Sequence, residues 1–302
     1  MSARTSPCIS GSPAGRRHEA TPPARDRHHR ATTSRRHLSV EPLDAIRAGV
    51  PLLLLVGAVT LPSLAGVFLL VLTGGCAIAV GRRVPVAWSW AAMVPAAVIA
   101  TLRAFGPAAT AWDETTCTLP SSPAVLWAVA EALLVVSATA ALAMVVHAKA
   151  GDLALRRPPR YAIRWAALGA AVILGGGLVG VILLAEPLFG VPDADPGGLG
   201  FLLPASVFAV ALAASEELAW RGALLGWLGK TLGPWVAVLA QAGVYGTAWG
   251  VAMGSPLGGL LAAAAGLLLG ATVIRTRSLV VPLAWHIAFN VPFYVFIACT
   301  KG

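Results

Sequence analysis

Residues 200–228 read GFLLPASVFAVALAASEELAWRGALLGWL, an almost continuous apolar run interrupted by two glutamates and one arginine. A helix needs about 20 predominantly apolar residues to cross a bilayer, so this run is long enough to span one. The whole chain of 302 residues is 57% hydrophobic and only 12% charged, whereas soluble domains average about 25% charged residues. We therefore predict an integral membrane protein.

Further apolar runs predict more spanning helices. They are 84–105, 124–147, 163–185, 234–253, 257–274 and 279–299. The stretch 48–80 is too long for one straight span, and it either forms one long tilted helix or breaks into a hairpin at Pro62 and Ser63. The fold class predicted is all-α, a polytopic transmembrane helical bundle of eight or nine spans, with nine preferred.

The loops between these runs differ in charge. One set is basic: Arg82, Arg83, 149–164, Lys230, Arg275 and Arg277. The opposite set is acidic: Asp113, Glu114, Glu186, Asp193 and Asp195. Because positive loops stay in the cytoplasm, we predict a multi-pass protein of the plasma membrane with a cytoplasmic N-terminus. Arg103 and Lys301 depart from this rule, and the topology is compatible with a disulfide between Cys117 and Cys299 at the outer ends.

The net charge of +9 is concentrated at the N-terminus. Residues 1–47 hold nine arginines against four acidic residues, or +5 (9 − 4). We predict a disordered, basic cytoplasmic tail that stays in the mature protein, and a lesser alternative is that its arginines touch anionic lipid headgroups. The expected partner is the lipid bilayer, and no nucleic acid is expected.

Charged residues inside the predicted spans need an explanation, since each costs about 2.5–3.5 kcal/mol at the centre of a bilayer. For isolated Glu131 we favour a structural ion pair, with Arg103 one conceivable partner. The cluster Glu216, Glu217 and Arg221 indicates function instead. Glu217 and Arg221 are spaced i,i+4 and so form an ion pair on one helix face.

Glu216 points about 100° away from that face and has no partner on its own helix. Burial disfavours the charged form of such a carboxylate, and this suits a general base near neutral pH. His286 and Asn290 in the last span are also spaced i,i+4, and both can donate hydrogen bonds to a developing oxyanion. Residue counts from the basic loops predict that His286 meets Glu216 in one cavity in the cytoplasmic half of the bilayer.

These two clusters resemble the motifs of a known family. Residues 216–222, EELAWRG, are similar to the EExxxR motif, and residues 286–290, HIAFN, to the HxxxN motif, of the CAAX-protease-like (CPBP, or Abi) intramembrane endopeptidases. The resemblance covers about residues 165–299. It implies N-terminal transmembrane helices over 48–160 and a protease core over 161–302.

The resemblance implies an endopeptidase that cleaves a membrane-anchored or C-terminal peptide substrate. Glu216 is then the base that activates water, the pair of Glu217 and Arg221 braces it, and His286 and Asn290 stabilise the oxyanion. The family's metal dependence implies zinc, for which this chain offers only Glu216 and His286, fewer than the three protein ligands usual at catalytic zinc.

The family's middle motif, FxxxH, is degenerate here, because Tyr245 and Trp249 stand at its two positions. An indole neither accepts a proton nor binds a metal. Three hypotheses follow. The first is an active endopeptidase. The second is a pseudoprotease that serves as a binding or scaffold protein, with Trp249 filling the water site. The third, which is least favoured, is a transporter or channel with a buried acid pair as proton site.

Overall fold

The structure is a computed structural model that describes residues 53, 55–57, 93–99, 102, 117–119, 122–189 and 199–299, without the side chains of 184–189 and 231. All of these residues lie in one compact unit, Val40–Gly302. The predicted basic tail over 1–47, the predicted hairpin at 62–63 and Arg103 lie outside the described residues.

The described residues form helices and no strand. The elements are α1 (Pro123–Val145), a 3₁₀ turn (Ala150–Leu153), α2 (Arg160–Phe189), α3 (Leu202–Glu216), a π-helical segment (Glu217–Leu224), α4 (Leu225–Leu232), α5 (Pro234–Ala252), α6 (Pro256–Thr276) and α7 (Val280–Cys299). Proline stands at the start of α1, α5 and α6, where its missing N–H costs no hydrogen bond. The Ser255 hydroxyl accepts a hydrogen bond from the Gly258 N–H and caps α6.

Five helices in the described part of the chain are long and apolar enough to cross a membrane. They are Pro123–Val145, Arg160–Leu183, Leu202–Lys230, Pro256–Thr276 and Val280–Cys299. Each corresponds to a predicted span. The predicted span 234–253 is helix α5 but is not one of these five. Most of 48–80 and most of 84–105 lie outside the described residues. The total of eight or nine spans therefore stays a prediction.

The outward faces of these helices are apolar. On α2, Leu168 and Val172 are 59% and 65% exposed, and apolar surface of this extent is expected to contact lipid rather than water. Several polar and charged side chains of the bundle are instead buried, among them Glu216, Arg221 and Gln241. This arrangement agrees with a bundle whose solvent is the bilayer.

Glycines let α5 and α6 approach closely. A Cβ at Gly246 would lie 2.6 Å from the Gly259 carbonyl oxygen, and a Cβ at Gly259 would lie 2.9 Å from the Gly246 carbonyl oxygen. Small residues of this kind are common where membrane helices pack backbone to backbone. The contact fixes the face that α5 turns toward α3 and the π-helical segment.

A disulfide joins Cys117, just before α1, to Cys299 at the end of α7. The Tyr294 hydroxyl lies 3.3 Å from the Cys117 carbonyl oxygen and donates to it. The disulfide that the predicted topology permits is therefore present, and it holds together two segments that are 182 residues apart in sequence.

Candidate functional site

The EELAWR stretch departs from regular α-helical geometry. Residues Glu217–Leu224 form a π-helix, and the backbone N–H of Leu225 donates to the carbonyl oxygen of Trp220, five residues back. Such π segments are rare and occur frequently at functional sites. The spacing of these residues predicts an ordinary α-helix, and the sequence carries no signal for the wider turn.

Glu217 is the centre of a buried hydrogen-bonding cluster. Its Oε1 lies 3.0 Å from an Arg221 guanidinium nitrogen, and both side chains are at most 1% exposed. The predicted i,i+4 pair is thus formed. The same oxygen lies 2.7 Å from Nδ1 of His286 on α7, a contact that the sequence analysis did not predict.

Glu216 finds its neighbours on other helices. The Tyr245 hydroxyl on α5 donates a hydrogen bond of 2.7 Å to Oε2 of Glu216. Nε2 of His286 lies 3.6 Å from the same oxygen, too long for a direct hydrogen bond. The structure therefore brings together Glu216 and His286, as predicted, and adds Tyr245 to them.

The contacts of His286 assign its tautomer. Glu217 is ion-paired with Arg221 and so is ionised, and an ionised carboxylate only accepts hydrogen bonds. The Nδ1 atom of His286 must then carry the proton that it shares with Glu217. In the neutral ring, Nε2 is the nitrogen with the lone pair, and it is this nitrogen that faces Glu216.

Aromatic side chains enclose the cluster on the α5 side. The Arg221 guanidinium carbon lies 4.3 Å from the centre of the Tyr245 ring, within cation–π range. The rings of Trp220 and Trp249 contact Tyr245 edge to face, at centroid distances of 5.5 and 6.4 Å. Trp249 also contacts Phe293 of α7 at 6.3 Å, so the indole at the degenerate motif position packs between α5 and α7.

Asn290 lies one turn beyond His286 on α7 and is 2% exposed. Its Nδ2 finds no hydrogen-bond acceptor within the described ranges. A buried amide donor left in this state is costly unless another group supplies an acceptor. It therefore suits a role as donor to a bound molecule.

Glu131, the remaining acid of the spans, is also buried, on α1. Its Oε1 lies 2.9 Å from the hydroxyl of Ser215, the residue that precedes Glu216. Arg103, its predicted partner, lies outside the described residues. The hydroxyl contact links α1 to the end of α3.

The residues present do not fit a catalytic zinc site. Among the described residues no group of three His, Cys, Asp or Glu side chains is arranged to hold a metal. Glu217 faces Arg221 and Nδ1 of His286, which leaves Glu216 and Nε2 of His286 as two ligands where catalytic zinc uses three.

Comparison with known proteins gives one family. Residues 198–292 match the family model described as type II CAAX prenyl endopeptidase Rce1-like. The match includes all three motif regions, at 216–222, 245–249 and 286–290. No curated protein and no solved structure gives a significant match to the chain.

Proposed function

We propose that this chain, whose residues 198–292 belong to the CAAX-protease-like (CPBP) family, is an intramembrane endopeptidase that cleaves a membrane-associated protein. The proposal includes a multi-pass location in the plasma membrane with the N-terminus in the cytoplasm, which the charge difference between the loops supports. The observation that supports this proposal is one buried cluster whose side chains come from α3, the π-helical segment, α5 and α7. It runs from Arg221 through Glu217 and His286 to Glu216 and Tyr245.

Glu216 acts as the general base. The water oxygen bonds to the carbonyl carbon of the substrate while Glu216 takes one of the water protons. The tetrahedral intermediate then collapses, the C–N bond breaks, and the proton held by Glu216 passes to the departing amine nitrogen. A carboxylate can make both transfers, because it accepts a proton as the base in the first step and returns that proton as the acid in the second.

His286 and Asn290 stabilise the negative charge that develops on the carbonyl oxygen. Nδ1 of His286 is held by Glu217, so its Nε2 donates only after the ring gains a second proton. Nδ2 of Asn290 is a donor in either state.

Tyr245 accounts for the missing histidine of the middle motif. The family motif has a phenylalanine at the position of 245 and a histidine at the position of 249. In this chain the polar side chain is instead at 245, one helical turn earlier on α5. The Tyr245 hydroxyl contacts Glu216, where it fixes the carboxylate for its encounter with water. Trp249 packs beside it without a group that accepts a proton.

A second candidate function is a pseudoprotease that binds or scaffolds membrane proteins. The position of Trp249 favours it, because the indole occupies space between Tyr245 and Phe293. In this reading the buried cluster is structural, and Glu216 is dispensable for function.

Cleavage by the full-length chain in liposomes distinguishes the two functions. The substrates are membrane-anchored reporter peptides with prenylated and unprenylated C-termini. Four proteins are compared: wild type, Glu216→Gln, Trp249→His and, as a matched control, Glu131→Gln. The control makes the same isosteric change at a buried carboxyl group outside the cluster.

Endopeptidase function predicts cleavage by wild type and Glu131→Gln and loss of cleavage in Glu216→Gln. Equal cleavage by Glu216→Gln and wild type contradicts the proposed base. If the wild type does not cleave the substrates and Trp249→His does, the protein is a pseudoprotease.

A further inference from the structure

A cavity of about 410 Å³ lies at one end of the bundle, under the 3₁₀ turn. Its lining includes Asp152, Arg156, Gly229, Lys230, Pro234 and Arg277. None of the residues of the Glu216 cluster lines it. The cavity is therefore a feature separate from the proposed active site.

The cavity carries an excess of positive charge. Three cations, Arg156, Lys230 and Arg277, line it with one carboxylate, Asp152, a sum of +2 (3 − 1). Lys230 lies 2.9 Å from Oδ1 of Asp152 and balances that charge. Two guanidinium groups remain, and arginine is the side chain best shaped to bind phosphate through two parallel hydrogen bonds.

Hydrogen bonds between two loops bring these arginines to one cavity. The buried Ser278 hydroxyl donates to the Arg156 carbonyl oxygen at 3.0 Å. The Leu279 N–H donates to the Ala154 carbonyl oxygen at 3.1 Å. The loop before α2 is thus fixed to the loop after α6, and Arg156 and Arg277 of these loops both line the cavity.

The backbone at Arg277 is unusual for the residue type. Arg277 closes α6 with φ of +54°, in the left-handed region where glycine is the usual helix C-cap. This backbone conformation is less favourable for arginine than for glycine. The arginine side chain, however, adds a positive charge to the lining of the cavity.

The flanks of the cavity are apolar and exposed. Leu155, between two lining residues, is 53% exposed, and Trp235, next to Pro234, is 57% exposed. Tryptophan is enriched at the membrane–water interface. Basic pockets between transmembrane helices bind lipid headgroups, and acyl chains would lie along these apolar flanks.

We infer that this cavity binds a phosphate group, and that its source is the headgroup of an anionic phospholipid. The inference does not depend on the proposed protease activity. A bound phosphate bridging Arg156 and Arg277 would hold the two loops together, so its binding is expected to stabilise the folded protein.

The first test compares two double variants of the full-length chain. Arg156→Gln/Arg277→Gln removes both cavity arginines. Arg157→Gln/Arg275→Gln removes two exposed arginines near the same end that do not line the cavity. The two variants have the same net charge, so a general effect of surface charge acts on both alike.

A second pair of variants leaves every cation in place. A Cβ at Gly229 would meet nothing closer than the Pro234 Cα at 4.0 Å, so a side chain fits there. Gly229→Asp adds a carboxylate to the cavity, and Gly229→Ala is its steric control. This pair keeps the test decisive if the loss of two arginines prevents folding.

Binding is measured by native mass spectrometry and by thermal unfolding in detergent with added phosphatidylglycerol, phosphatidylcholine or inorganic phosphate. We expect tighter binding of phosphatidylglycerol than of phosphatidylcholine. We expect the cavity double variant and Gly229→Asp to weaken it by about tenfold or more, since each arginine near an anionic lipid contributes on the order of 1 kcal/mol. The control double variant and Gly229→Ala should retain wild-type binding.

The same measurements distinguish a lipid headgroup from a soluble anion as the source of the phosphate. Stabilisation by inorganic phosphate that equals that by phosphatidylglycerol, with the same response to the variants, supports the phosphate site but assigns it to a soluble anion. Equal losses in both double variants, or no preference for phosphatidylglycerol together with no effect of phosphate, overturn the inference.

Discussion

The Tyr245 hydroxyl donates a hydrogen bond of 2.7 Å to Oε2 of Glu216, and both side chains are buried. Tyr245 stands where the CAAX-protease-like motif has phenylalanine, one turn before Trp249, which stands where the motif has histidine. Both departures from the motif therefore change the surroundings of Glu216. One removes a proton acceptor from α5, and the other adds a hydroxyl that reaches the proposed base.

Tyr245→Phe is expected to lower peptide cleavage. The substitution removes one hydrogen bond to a carboxylate, which is worth about 1.5–3 kcal/mol and corresponds to a fall of about ten- to hundredfold in kcat. The matched control is Tyr294→Phe, which removes a buried hydroxyl bonded to the Cys117 carbonyl oxygen. Unchanged kcat in Tyr245→Phe would show that the hydroxyl does not position Glu216.

Arg221→Met is expected to destabilise the fold strongly. It leaves the Glu217 carboxylate buried without its guanidinium partner, and breaking such a pair costs about 3–5 kcal/mol. The double variant Glu217→Leu/Arg221→Met should be less destabilised, because neither charge remains. Unfolding in mixed detergent micelles measures both, with the exposed Arg164→Met as control.

A double variant as unstable as the sum of its two single variants would contradict this coupling. Arg164→Met should stay within about 0.5 kcal/mol of wild type, as surface substitutions usually do.

Gly226→Ala is expected to lower the melting temperature. A Cβ at Gly226 would overlap the Asp152 carbonyl oxygen of the 3₁₀ turn, and overpacking of this kind typically costs about 1–3 kcal/mol. In the control Gly229→Ala, three residues later, the added Cβ would lie 4.0 Å from the Pro234 Cα, an ordinary contact distance. The control should therefore gain up to about 1 kcal/mol of stability from the higher helix propensity of alanine. Equal melting temperatures for the two variants would show that the turn does not pack against α4 at Gly226.

Asp152 is expected to contribute to stability at neutral pH and to lose that contribution in acid. Burial raises the pKa of this carboxyl group, but the Lys149 N–H and the Lys230 ammonium outweigh burial and bring its pKa below the usual 3.8. A lowered pKa in the folded state gives stability that is present above about pH 4 and is lost as the pH falls through the folded value. Thermal unfolding between pH 3 and 7 measures it, using buffers of about constant ionic strength.

Asp152→Asn should flatten the acid limb of that profile while it lowers stability at pH 7. Lys230→Met removes one of the partners and should shift the limb toward higher pH. Superimposable profiles for wild type and Asp152→Asn would refute the assignment.

Much of the fold follows from the sequence because of its composition. Apolar runs of about 20 residues have few stable alternatives to a spanning helix, and five of the predicted spans appear as helices of that kind. The pairing of Glu217 with Arg221 also follows from spacing alone, since residues four apart lie together even where the helix widens. The motif order was enough to identify the family that the comparison then confirmed over residues 198–292.

The site itself depended on contacts between helices that are distant in sequence. Glu216 meets Tyr245 across 29 positions, and Glu217 meets His286 across 69. The π-helical turn arises within residues whose local spacing also fits an α-helix. The two arginines line one cavity because hydrogen bonds join Ala154 and Arg156 to residues 278 and 279. The sequence by itself determined which segments form spanning helices and which polar groups those helices carry, because backbone N–H and C=O groups in lipid must be hydrogen-bonded within the helix. Only the tertiary structure decided which of those groups touch, because the glycine contacts and loop hydrogen bonds that set the rotation of each helix have no local signature.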